Sequence, residues 1–203
     1  MDCYDSVKRF GSRVATLTRL NAVLANAGLM ISDYRNSEDN EKQITVNVVS
    51  TFLLCRLVLP KLREPADRFN KVPRFVIPNS ALHYFAPLKE LDVPEGKIFE
   101  TLNNPETALM VGHYFLTKLF VIYAIRELAA QTKALKRKTV VLNSPNPSFC
   151  KSGLLGESPS FGERAFKRLL ARDTEVGSRP LVHGIISGVE SHGQYLTNCH
   201  VQT

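Results

Sequence analysis

Gly112-His-Tyr-Phe-Leu-Thr-Lys118 lies inside a helical run from Thr107 to Thr132, and that run is set between two short apolar stretches, Arg74-Phe-Val-Ile-Pro78 and Thr139-Val-Val-Leu-Asn143. Strand, helix, strand in that order specifies a crossover, because parallel strands need a long connection and a helix is the usual one. The helix carries Leu109, Phe115, Leu119, Val121 and Ile125 and is hydrophobic nearly all round, as a helix buried between layers would be. Arg74 to Pro78 does not alternate, which predicts a strand covered on both faces. Pro78 belongs at its end, since proline cannot donate to the ladder.

The same alternation extends in both directions. Asp5 to Thr18 has helical spacing, with Val7, Phe10, Val14 and Leu17 on one stripe and Asp5-Ser6 as caps. Asn21-Ala-Val-Leu-Ala-Asn26 reads as a strand that ends at Ala27-Gly28, where Gly28 permits a sharp turn or a close approach to a ligand. Ser37 to Leu62 reads as a long helix, opened by Ser37-Glu-Asp and bounded by Pro65, with Pro60 kinking or ending its last turns. Ala81 to Pro105 is irregular and holds Pro87, Pro94 and Gly96, a length typical of a functional loop. After Ser144-Pro-Asn-Pro147 and a polar segment to Pro159, helices are predicted over Phe161 to Arg172 and Glu175 to Gly188, and a last strand over Gly193 to Thr197. The expected fold class is α/β, a doubly wound, Rossmann-like parallel sheet with helices on both faces and ligands at the carboxyl ends of its strands. Asn26, Ser80 and Pro147 all follow predicted strands, where such a sheet presents functional groups.

A chain of 203 residues, 44% of them hydrophobic, can bury one sizeable core, so a single domain over 1–203 is expected. The longest apolar runs, Val48 to Leu59 and Leu116 to Ala124, are broken by Arg56 and Lys118 and are too short to cross a bilayer. The first residues lack a basic stretch followed by an apolar core, so no membrane span, no secretory leader and a cytoplasmic location are expected. Cys3, Cys55, Cys150 and Cys199 are far apart and read as reduced, mostly buried thiols, with no metal site. The net charge of +7 is concentrated partly in Lys133 to Lys138 and in Arg164 to Arg172. The first cluster ends a helix, where cations meet the negative end of the dipole, so a nucleic-acid partner is not expected.

Tyr114 and Lys118 are four apart on one helix, so their side chains share a face about 6 Å apart. A phenol holds its proton until about pH 10, and a nearby ammonium lowers that value by stabilising phenolate. Such a pair can exchange a proton with a carbonyl or alcohol. Ser80 can hold the same substrate oxygen, and Asn47, inside the long helix, can order a water that resupplies protons through Lys118. Tyr-x-x-x-Lys alone is a weak signal. The order in which these groups occur strengthens it: Asn-Ala-Gly after the first strand, an Asn in the next helix, a Ser after the second strand, Tyr-x-x-x-Lys, then a Pro turn after the third.

That ordered set resembles the short-chain dehydrogenase/reductase family over nearly the whole chain, from Tyr4-Asp-Ser-Val to Gly193-Gln-Tyr-Leu. Ile77-Pro-Asn-Ser-Ala-Leu-His83, the long loop and Glu190-Ser-His-Gly-Gln-Tyr195 are most similar to fungal, retinol-dehydrogenase-like members, many of them acting in secondary metabolism. The resemblance implies an NAD- or NADP-dependent oxidoreductase that interconverts a small-molecule ketone or aldehyde and an alcohol. It implies Tyr114 as general acid/base, Ser80 as the orienting hydroxyl, Lys118 on the nicotinamide ribose, and Asn47 in the proton relay. Asn26, Ala27 and Gly28 resemble a cofactor-facing turn, while Pro147, Cys150 and Ser152 resemble the segment that meets the nicotinamide carboxamide.

The sequence departs from the family pattern at Pro147-Ser148, where Pro-Gly is usual, at Pro78-Asn79, where Val-Ser is common, and at Ala25. Family members also open with a strand, a Gly-x-x-x-Gly-x-Gly turn and a helix that binds pyrophosphate, and no such turn occurs here. The resemblance therefore implies a truncated domain that lacks the first strands, about three of them, and that stops short of a final helix. An exposed sheet edge is expected in consequence, open to a second copy or a partner chain. The alternative function is a catalytically inactive remnant, or a fragment that binds a partner.

Overall fold

The computed structural model describes residues 1–134, 140–151, 153–154 and 171–202. The elements are α1 (Tyr4–Ala15), β1 (Ala22–Leu24), the short hairpin strands β2 (Asn36–Ser37) and β3 (Asn40–Glu41), and α2 (Lys42–Phe69). They continue with β4 (Arg74–Val76), short 3-10 turns at Ala81–Phe85 and Leu88–Leu91, and α3 (Ile98–Leu102). The last are α4 (Met110–Ala134), β5 (Val141–Asn146), α5 (Thr174–Ile186), β6 (Gln194–Thr197) and β7 (His200–Gln202).

One five-stranded sheet runs in the order β1-β4-β5-β6-β7. Its first four strands are parallel, in registers such as Val23 with Phe75 and Phe75 with Leu142. The expected α/β fold is present, with one correction: β7 folds back antiparallel on β6, making the sheet mixed. Asn198 and Cys199 adopt the left-handed conformation between these strands and close the hairpin. No glycine marks that turn, so the sequence carried no strong signal for it.

Successive strand residues face opposite layers. Phe75 and Leu142 join Leu54, Cys55, Val58 and Leu62 of α2 and Val121 and Ile125 of α4 in the main core, which Val7 and Val14 of α1 complete. Val76 and Asn143 face α5 on the other side, where a Cβ on Gly184 would meet Pro145 Cγ at 2.9 Å, Asn143 Oδ1 at 3.0 Å and Val76 Cγ1 at 3.1 Å. Glycine lets α5 lie this close to the strand ends.

Several sequence expectations need correction. The helix predicted from Ser37 begins at Lys42, because residues 36–41 form the hairpin and Glu41 caps the helix by accepting from Gln43 N and Ile44 N. It also runs past both prolines to Phe69 and ends at Asn70 in the left-handed conformation. Pro60 and Arg56 are both exposed, so water can take up the helix carbonyl that Pro60 leaves without a donor. This 28-residue helix is long and apolar enough to cross a membrane, yet it is mostly buried and supplies the core. α4 is not hidden all round, since Val111 and Tyr123 are exposed. Of the cysteines only Cys55 is buried, its thiol pushed up to about 12 by burial, whereas Cys3 and Cys199 are exposed. The helix predicted over 161–172 lies almost wholly outside the described residues, as does most of each basic cluster.

Candidate active site

The carboxyl ends of β1, β4 and β5 bring the candidate residues to one edge of the sheet. Tyr114 stands on the second turn of α4 and is 4% exposed. Ser80 caps the 3-10 turn after β4, its Oγ accepting from Leu82 N at 3.2 Å. Tyr114 is close enough to Ser80 for that hydroxyl to pull the phenol pKa down. Burial outweighs it, with a smaller contribution from Cys150, and the Tyr114 pKa is pushed up to about 12. The four-residue Tyr–Lys spacing alone predicts the opposite direction.

Lys118 is buried one turn further along, its Nζ 5.5 Å from the Tyr114 ring centre. The ammonium donates to Pro78 O at 2.8 Å, and burial lowers its pKa to about 8. One carbonyl satisfies one of its three N–H donors. Pro78, which cannot pair as a donor, thus uses its carbonyl to place the lysine.

Asn47 lies in a π-helical segment of α2, Thr45–Val49. Its Oδ1 accepts from Leu29 N at 2.9 Å, and its Nδ2 donates to Leu29 O at 2.8 Å and to Thr117 Oγ1 at 3.1 Å. The carboxamide therefore clamps the loop after β1 to α2 and α4. None of these hydrogen bonds goes to Lys118. Asn26, Ala27 and Gly28 are exposed in that loop, with an ideal Cβ on Gly28 only 3.3 Å from Asn47 Oδ1.

Pro147 follows β5, and the next residue explains the departure from Pro-Gly. Ser148 has φ +63°, a conformation glycine adopts without strain, and its N–H is held by Asn146 Oδ1 at 2.9 Å. Cys150 pairs through a bridge with Arg172 and packs against α5, where an added Cβ on Gly177 would be 2.9 Å from its Sγ. Ser152 lies outside the described residues.

Two supporting residues carried little signal. Asn79, noted only as a departure, is buried; its Nδ2 donates to Lys118 O at 3.2 Å and Ser144 Oγ at 3.0 Å, and its Oδ1 accepts from Ser80 N at 2.7 Å. It ties the strand end that holds Ser80 to the helix that holds Tyr114. His83 Nδ1 lies 2.7 Å from Ser80 O, so that nitrogen carries the hydrogen, since a carbonyl only accepts. The ring packs edge-on against Tyr195, with centroids 4.7 Å apart.

No family model matches the chain. The chain is 43% identical over 206 aligned residues to the short chain dehydrogenase/reductase dmxR8 of Cryptosporiopsis sp., a match that spans 100% of this chain and 63% of that protein. It is 34% identical to the short chain dehydrogenase atnD of Emericella nidulans, across 94% of this chain and 62% of that one. The fold matches a short chain dehydrogenase from Burkholderia cenocepacia solved with NADP, with a TM-score of 0.61 at 16% identity, covering 97% of this chain and 71% of that one. It also matches an NADH-dependent reductase solved with NAD, with a TM-score of 0.60 at 13% identity, covering 97% of this chain and 69% of that one. By sequence this chain belongs to the short-chain dehydrogenase/reductase family, and the solved structures share its fold. It spans 63% and 62% of the length of the two curated relatives named here.

Proposed function

We propose that the chain carries the reacting centre of a nicotinamide-dependent oxidoreductase that interconverts a small-molecule ketone or aldehyde and an alcohol. The observation that carries this reading is the placement of the buried Tyr114 phenol beside Ser80, one helical turn from the buried ammonium of Lys118. A phenol held protonated in this way can donate to a carbonyl oxygen as that oxygen gains negative charge. Ser80 supplies a second hydrogen bond to the same oxygen, and the charge of Lys118 favours the phenolate that forms. When bound, NAD or NADP supplies or accepts the hydride.

The residues present fit the nicotinamide end of that cofactor. Lys118 has donors left for ribose hydroxyls, and the exposed turn at Asn26-Ala27-Gly28 and the half-buried turn at Pro147 follow β1 and β5, the strands on either side of β4, whose end holds Lys118 through Pro78 O. Cys150 after that turn, and Ser152 by its place in the sequence, are further candidate contacts. For the pyrophosphate end, the 203 residues contain no glycine-rich turn. The alternative reading is a catalytically inactive relative acting through a partner. The two curated relatives named above are fungal proteins, and a cytoplasmic enzyme of fungal secondary metabolism is the setting this proposal takes.

Titrating the folded protein with NADPH and NADH while following nicotinamide fluorescence tests the first reading. Quenching or a spectral shift is expected. A folded sample that binds neither supports the second. Tyr114→Phe should keep the binding and lose about a hundredfold or more in turnover of any carbonyl substrate found.

A further inference from the structure

Glu41, His113 and Glu90 form a buried three-way contact beside Tyr114 that the proposed chemistry does not use. His113 is 1% exposed, with Nδ1 3.4 Å from Glu41 Oε2 and Nε2 3.3 Å from Glu90 Oε1. Each carboxylate oxygen also accepts from backbone. Glu41 Oε2 takes Gln43 N at 2.9 Å and Ile44 N at 3.2 Å, and Glu90 Oε1 takes Leu109 N at 2.9 Å. Both therefore act as acceptors towards the ring. A neutral imidazole has one N–H, so it can satisfy one glutamate while turning a lone pair on the other; an imidazolium satisfies both.

The contact joins three parts of the chain: the start of α2, the 3-10 turn at Leu88–Leu91, and α4. A separate observation shows how closely the middle part sits on the helix. An ideal Cβ on Gly112 would fall 2.2 Å from Pro87 Cγ and 2.8 Å from Pro87 Cδ. Other titratable groups near the triad are few among the described residues. Tyr34, which donates to Asn103 O at 2.6 Å, is close enough to Glu41 for that charge to contribute to its raised pKa. Lys42, next to Glu41, is paired with Asp2 at 3.3 Å, and Tyr114 follows His113 on α4.

We propose that His113 is a proton-dependent latch: as an imidazolium it bridges Glu41 and Glu90 and holds the 86–109 segment on the first turns of α4, and on losing its proton it loosens that segment. Burial works against the charged ring, but the hydrogen bonds and charges of Glu41 and Glu90 outweigh it and leave the His113 pKa above its ordinary value. A raised folded-state value means the latch contributes fully below about pH 6.5 and is lost as pH rises through the folded value.

The test uses the full chain with 13C-labelled histidine, its His113 signal assigned with His113→Gln, alongside hydrogen exchange of the 86–109 segment corrected for intrinsic rates. His113 should titrate above the ordinary histidine value, and protection of the segment should fall at that same midpoint. Glu90→Gln should lower the midpoint by about one to three pH units and carry the exchange transition with it. Glu41→Gln serves the same purpose if the first variant does not fold. A midpoint at or below the ordinary value, or protection that is flat across it, overturns the latch. Neither readout needs cofactor or turnover, so the result is independent of the proposed reaction.

Discussion

Replacing Asn79 by Ala should loosen the brace between Ser80 and the helix of Tyr114. The side chain is 3% exposed, and its amide makes three hydrogen bonds, to Lys118 O, Ser144 Oγ and Ser80 N. Water cannot readily replace them there, and each is worth about 0.5–1.5 kcal/mol net, so the loss should be about 3 kcal/mol. For a chain of this size that corresponds to a fall in Tm of roughly 6–12 °C. Urea unfolding followed by circular dichroism measures it, with an unchanged m-value showing that the native fold is kept. Asn79→Asp keeps the acceptor for Ser80 N but turns an acceptor towards Lys118 O, so it should be no better than Ala. A double-mutant cycle with Ser144→Ala should return a coupling of about 1 kcal/mol. A loss below about 1 kcal/mol for Asn79→Ala would refute the brace.

Lys118→Met should stabilise the fold at neutral pH. The folded-state pKa of about 8 lies below the ordinary lysine value of 10.5, so the unfolded chain binds more protons between those values and stability rises with pH there. Removing the buried charge gains about 3 kcal/mol and forfeits about 1 with the Pro78 hydrogen bond, so urea unfolding at pH 7 should show a gain of about 2 kcal/mol that shrinks as pH rises past about 8 and becomes a loss of about 1 above about pH 10.5. Gly112→Ala places a Cβ inside Pro87, and although alanine gains about 1 kcal/mol in helix propensity, displacement of the 86–91 turn should leave a net loss, seen as faster proteolysis of that turn. Ser148→Gly relieves a φ of +63° worth about 1–2 kcal/mol against about 0.5–1 of added unfolded-chain entropy, so thermal unfolding should show a small gain.

The legible part of the fold was the part with strong periodicity. The 20-residue and 25-residue helical stretches of α2 and α4, and the apolar runs at β4 and β5, stand out because burial on a helix or a parallel strand demands those patterns. The hairpin at 36–41 did not stand out, since two-residue strands carry no period and Ser37-Glu-Asp imitates a helix start. β7 was missed for a similar reason. In the candidate site, Tyr114, Lys118 and Ser80 were singled out from type and order. Asn79, Glu41 and Glu90 were not, because their partners lie up to 72 residues away in the chain.

The sequence by itself determined the layered α/β arrangement, the position of each candidate residue at a strand end or on one helix face, and the kinship that the comparisons then bore out. These follow from local pattern and order, which the chain carries without folding. Only the tertiary structure decided what the groups experience. Burial raises the Tyr114 pKa to about 12 despite the neighbouring lysine, lowers that of Lys118 to about 8, commits the Asn47 carboxamide to the Leu29 backbone, and closes Glu41 and Glu90 around His113. Desolvation and long-range hydrogen bonding depend on what packs around a group, and no spacing along the chain encodes that.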